Sequence, residues 1–66
     1  MSVRMLGRNL KALRTRRKLT QTTLATRAGV TQPYIVALEK NRENPTLDVL
    51  EKLARALKVS VAELLE

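Results

Sequence analysis

The sequence predicts an all-α fold of five short helices, and three observations predict it. Apolar residues recur at steps of three and four along the whole chain, and no stretch alternates as a half-buried strand would. Thr20, Thr31, Thr46 and Ser60 each stand just ahead of such a run, where a hydroxyl can cap the unsatisfied N–H groups of a helix start. With 66 residues there is room for a single domain, residues 1–66, and no more.

Val3, Leu6, Leu10 and Leu13 give a first helix from about Val3 to Arg17, with Leu19 as an anchor beyond it. Thr20 opens a second helix whose inner face is Leu24, Ala25 and Ala28. Gly29 ends it, because glycine enters the left-handed region without a Cβ penalty. Thr31 caps a third helix, about Gln32–Lys40. Pro33 is tolerated in its first turn, where an N–H has no acceptor anyway, and Ile35 and Leu38 form the inward stripe. Residues 40–45 read as a polar loop. Thr46 then caps a fourth helix carrying Leu47, Leu50, Leu53, Ala54 and Leu57. Ser60-Val61-Ala62-Glu63 is a capping box for a last short helix, with Val61, Leu64 and Leu65 inward.

Composition narrows the function. Cysteine and histidine are absent, so neither a disulfide framework nor a zinc finger is expected, and no metal or cofactor is implied. With no clustered carboxylates and no Gly-rich phosphate loop, an enzyme is not expected. Apolar runs reach only three or four residues, far short of a membrane span, and Arg4 and Arg8 interrupt any signal-peptide pattern. A cytoplasmic protein is the expectation. Net charge is +7, and residues 1–18 account for it with Arg4, Arg8, Lys11, Arg14, Arg16, Arg17 and Lys18 and no acid. Such a field attracts polyanions, nucleic acid first and anionic lipid second, although a merely solubilising face has the same composition.

The informative block runs from Gln21 to Leu38. Ala25 sits where two helices cross steeply and a larger side chain would part them. Gly29 makes the turn between them. Ile35 and Leu38 lock the underside of the third helix and so fix its outer face. A short helix, a glycine turn and a second helix form the helix-turn-helix, about residues 20–41, whose second helix enters the major groove of duplex DNA.

The chain resembles the Cro and phage-repressor type of helix-turn-helix domain, which includes restriction–modification controller proteins and many small bacterial regulators. The resemblance rests on Leu13-Arg14, Leu19-Thr20-Gln21, Leu24-Ala25, Ala28-Gly29-Val30-Thr31-Gln32, Tyr34-Ile35, Leu38-Glu39, Asn44-Pro45-Thr46-Leu47, Leu53-Ala54-Arg55-Ala56-Leu57 and Val59-Ser60-Val61. It implies a five-helix lambda-repressor-like fold. It further implies a bacterial or phage regulator, cytoplasmic and associated with the nucleoid, that binds operator DNA by sequence, with RNA polymerase as a second contact if it activates.

The same resemblance assigns roles. Gln21 would hold a phosphate together with the start of the second helix, and Gln32 would read a base edge, adenine being its best bidentate partner. An ordinary first-turn polar residue is the alternative for each. Beside the cap Thr31, the outward positions Pro33, Val36 and Ala37 offer no donors, so they can meet thymine methyl groups but cannot read guanine, and specificity would lean on DNA shape. Tyr34 would reach a phosphate or a base edge, or else lie across the surface. Arg42 is placed near the backbone or minor groove, with Lys40, Asn41 and Asn44 as weaker phosphate contacts; Arg17 and Lys18, just before the second helix, either add to that footprint or form a solvated face. Arg14 and Glu39 would form a partly buried pair that orients the third helix. One such helix covers few base pairs, so a homodimer on a pseudo-palindromic operator is expected, with Val61, Leu65 and Val49 as interface residues. A membrane-active basic helix over residues 3–18 and a protein-interaction module on the same fold are the other function classes.

Overall fold

The structure, a computed structural model, describes residues 5–66. Five helices follow in order: α1 (Leu6–Arg16), α2 (Gln21–Ala28), α3 (Gln32–Glu39), α4 (Leu47–Leu57) and α5 (Val61–Leu65). Val3 and Arg4, expected in or beside the first helix, lie outside the described residues. Among those residues there is no strand.

Every helix start from α2 onward is capped as its hydroxyl residue predicts. The side chains of Thr20, Thr31, Thr46 and Ser60 accept from the backbone N–H groups of Thr23, Tyr34, Val49 and Glu63. Ser60 completes a reciprocal box, because its own N–H donates to Glu63 Oε1 at 3.4 Å. The helix ends are less uniform in sequence than in structure. Lys18, Gly29, Asn41 and Lys58 all adopt a left-handed φ between 56° and 71°, and only one of them is glycine. After each, the next N–H reaches back to a carbonyl of the finished helix, as Val30 does to Ala25 at 2.9 Å and Val59 to Ala54 at 2.9 Å. Leu19, Val30 and Val59, which follow three of these residues, pack against the core and hold the turns closed.

A Cβ built on Gly29 meets nothing within 4 Å, so its φ of +71° is the only obstacle to a side chain there. Gly29→Ala is therefore expected to cost about 1 kcal/mol, the penalty of the left-handed conformation alone. A thermal melt should show a loss of roughly 4–8 °C for a domain of this size. No loss would mean that the turn does not depend on glycine.

Leu6, Leu10, Leu24, Ile35, Leu38, Leu53, Leu57 and Leu64 are essentially inaccessible and form the core, with Ala25, Ala28 and Ala54 where helices approach closely. α1 packs on α3 and α5, α2 on α3 and α4, and α4 on α5. Asn9 adds a polar tie, donating from Nδ2 to the Leu64 carbonyl at 2.9 Å. Two apolar expectations need correction. Leu47, grouped with the other leucines of the fourth helix, is 65% exposed, because the first residue of α4 projects beside the polar loop. Leu13 is only half-buried at the edge of the core.

Candidate nucleic-acid interface

The outer face of α3 is set from beneath. Ile35 and Leu38 are fully buried and Ala25 is 3% exposed, so α3 rests its underside on the core and against α2. Its far end is held by charge. Arg14 Nε donates to Glu39 Oε2 at 2.6 Å and Nη2 to Glu39 Oε1 at 3.3 Å, while Nη1 donates to the Leu19 carbonyl at 2.8 Å. One guanidinium thus ties α1, the α1–α2 turn and the end of α3 together. The side chains are 13% and 6% exposed, as befits a pair whose three hydrogen bonds compensate its desolvation.

The glutamines expected to meet DNA extend this network. Gln21 donates from Nε2 to Glu39 Oε1 at 3.0 Å, and Gln32 donates from Nε2 to Gln21 Oε1 at 3.0 Å. Four side chains from three helices therefore form one line, Arg14–Glu39–Gln21–Gln32, which ends at the start of α3. The pairing of the two glutamines is not visible in the sequence, where they stand 11 residues apart on different helices.

The remaining expected contact residues divide. Thr31, Pro33, Lys40, Arg42 and Asn44 are exposed, and Gln32, Tyr34, Val36 and Ala37 are half-buried. Burial first, and the Glu43 carboxylate second, raise the Tyr34 phenol above its ordinary value of 10, so it stays neutral and able to donate a hydrogen bond near neutral pH. Asn41 turns out to have a structural task. Its Oδ1 accepts from the Gly7 N–H at 3.1 Å, satisfying one of the orphan donors of α1. Arg17 is engaged elsewhere than at the start of α2: its Nη2 donates to the Lys58 carbonyl at 3.4 Å, where the negative end of α4 attracts a cation. Of the expected dimer residues, Leu65 is 8% exposed and so belongs to the single chain's own core, which leaves a partner little to cover. Val49 and Val61 are half-buried and pack against that core.

Two features escaped the sequence reading. Gly7 is buried where α1 approaches the end of α3, within a Cβ's reach of the Leu38 and Glu39 carbonyls. Arg27, Lys52, Arg55 and Lys58 gather with Ala56 around a concavity of about 320 Å³, although charges cancel over residues 19–66. Arg27 and Arg55 lie in the last turns of α2 and α4, and Lys58 caps α4, positions that favour cations. Among the described residues no three acidic, cysteine or histidine side chains cluster as metal ligands would, and no helix is long and apolar enough to cross a membrane.

A family model described as helix-turn-helix matches residues 10–64. The chain belongs to that family. Helix-turn-helix relatives of the Cro and phage-repressor type resemble it over most of its length. An immunity repressor protein of Bacillus phage phi105 is 43% identical over 56 residues, which are 85% of this chain and 39% of that protein. The present helix-turn-helix chain thus spans well under half the length of that curated relative. The restriction–modification controller protein C.AhdI from Aeromonas hydrophila superposes with a TM-score of 0.89 at 35% identity, covering 94% of both chains. SinR, a master regulator for biofilm formation crystallised in complex with DNA, gives a TM-score of 0.89 at 36% identity over 94% of this chain and 100% of that one. The SinR sequence of Bacillus subtilis is likewise 36% identical over 63 residues, 94% of this chain and 57% of that protein. These helix-turn-helix relatives are named for regulation, and none for catalysis.

Proposed function

We propose that this chain is a sequence-specific duplex-DNA-binding regulator of transcription that acts as a homodimer, with α3 in the major groove. The observation that carries the reading is the joined amide pair of Gln21 and Gln32 at the starts of α2 and α3, with exposed Thr31 and Pro33 next to Gln32 in the chain and exposed Lys40 and Arg42 just past the other end of α3. Helix starts favour anions, so the first turn of α2 suits a phosphate, while the donor and acceptor of the Gln32 amide in the first turn of α3 suit a base edge. The unbalanced positive charge of residues 1–18 supports attraction to a polyanion, and the DNA complex of SinR supports the docking mode. Work in the cytoplasm, on the nucleoid, follows from this reading, as does a polymerase contact if the regulator activates.

Selection from a random duplex pool tests it directly. A pseudo-palindromic consensus with half-sites about 34 Å apart is expected, reflecting two copies of α3 one helical turn apart. The logarithm of the affinity should fall linearly with the logarithm of salt concentration, because phosphate contacts release counterions. Gln32→Ala should relax preference at one base position of each half-site by roughly 1–3 kcal/mol. A pool with no enriched sequence would defeat the reading, and sedimentation showing a monomer even on the selected duplex would defeat the homodimer.

A further inference from the structure

We propose that Glu39, at the far end of α3 from the base-reading position, determines which base Gln32 accepts by fixing the direction of two amide groups in turn. The inference rests on the reading that Gln32 meets a base edge.

A carboxylate can only accept, whereas a glutamine amide donates from one side and accepts on the other. Both Glu39 oxygens accept from the Arg14 guanidinium, and Oε1 also receives the Gln21 amide at 3.0 Å. Gln21 must therefore turn its NH2 group toward Glu39, which leaves its oxygen facing Gln32. That oxygen in turn obliges Gln32 to present its own NH2 group, at 3.0 Å. Reversing Gln21 would set oxygen against a carboxylate, and reversing Gln32 would set oxygen against oxygen. A hydrogen bond to a charged group biases such a choice roughly ten- to a hundred-fold, so one arrangement dominates.

The outward face of Gln32 is then defined. One N–H of its amide is spent on Gln21, and one N–H together with Oε1 is left for a base. Adenine presents an acceptor at N7 beside a donor at N6 and complements this pair. Guanine presents two acceptors, N7 and O6, and would need the N–H already engaged. A glutamine without the line behind it could turn either way and donate to guanine or thymine, or accept from cytosine. Glu39 is thus a positioning residue for base choice, acting through Gln21 without touching the duplex.

The test compares per-position base preference, selected from a random duplex pool, for the parent chain and for E39Q, Q21M and Q32A. E39Q replaces the obligate acceptor by an amide that can face Gln21 either way. Q21M removes the middle of the line and leaves the Arg14–Glu39 pair intact, so it serves if E39Q folds poorly. The adenine preference that Q32A abolishes should fall in both E39Q and Q21M by up to the roughly ten- to hundred-fold bias that the line supplies. If Gln21 only holds a phosphate, Q21M weakens all sequences alike and keeps the preference, which overturns the proposal. A folded E39Q with the parental adenine preference overturns it too. If Q32A itself changes no position, base reading by Gln32 fails and the proposal falls with it.

Discussion

Glu39→Ala should remove most of the domain's stability, about 3–5 kcal/mol, because it strands a largely buried guanidinium. A chain of this length holds on the order of 3–10 kcal/mol in all. Arg14 is 13% exposed and keeps only the Leu19 carbonyl once the carboxylate is gone, while the Gln21 amide loses its acceptor as well. Urea denaturation of Glu39→Ala, Arg14→Ala and the double variant gives the coupling energy. A coupling of 0.5–3 kcal/mol is expected for groups in one network. Additive losses would show that the pair contributes nothing as a pair. Replacing both partners by apolar residues, Arg14→Met with Glu39→Leu, should recover much of the loss, since the cost lies in a lone buried charge rather than in the missing bridge. The surface pair of Lys52 and Asp48, at 3.0 Å but half or more exposed, should by contrast contribute almost nothing.

Gly7→Ala should be the second most damaging change, for a steric reason. A Cβ on Gly7 would lie 2.6 Å from the Glu39 carbonyl oxygen, 2.7 Å from that of Leu38 and 2.8 Å from Asn41 Oδ1. Two of these are backbone atoms, so the end of α3 or the start of α1 must move, and the Gly7 hydrogen bond to Asn41 stretches with it. Overpacking of this kind costs about 1–3 kcal/mol and occasionally more. Alanine's better helix propensity, worth about 1 kcal/mol, offsets only part where two rigid carbonyls are met. A drop of roughly 10 °C in the melting temperature is expected. Affinity for the selected duplex should fall as well, because the displaced segment carries the end of α3. A melt unchanged from the parent would mean that the two helices separate freely and that no steric conflict arises at Gly7.

The two glycines show what was legible in the sequence and what was not. Gly29 sits between a finished helix and a cap, and its role follows from neighbours a few residues away. The hydroxyl caps, the capping box and the Gln21–Leu38 block are local signals of the same sort. Gly7 answers to residues more than thirty positions later, and nothing beside it in sequence announces that approach. Asn41 reads as a surface contact for the same reason, its partner being 34 residues away. Lys18, Asn41 and Lys58 close their helices without glycine, and the clearest sign is the apolar residue after Lys18 and Lys58. Of the candidate site, Arg14, Glu39, Gln21 and Gln32 were singled out, but their order along one line depends on the crossing angle of α2 and α3. The exposure of Leu47 has the same origin, because helical periodicity tells which residues share a face and not where the covering layer stops.

The interlocked glutamines also bear on the kinetics of association. A long side chain that is frozen only upon docking gives up about 0.5–1.5 kcal/mol of rotamer freedom at that moment. Gln21 and Gln32 have surrendered much of theirs already, in folding. A duplex meeting this surface would find the reading edge rigid on arrival, so encounter would be governed by diffusion and long-range attraction, with little waiting for rearrangement.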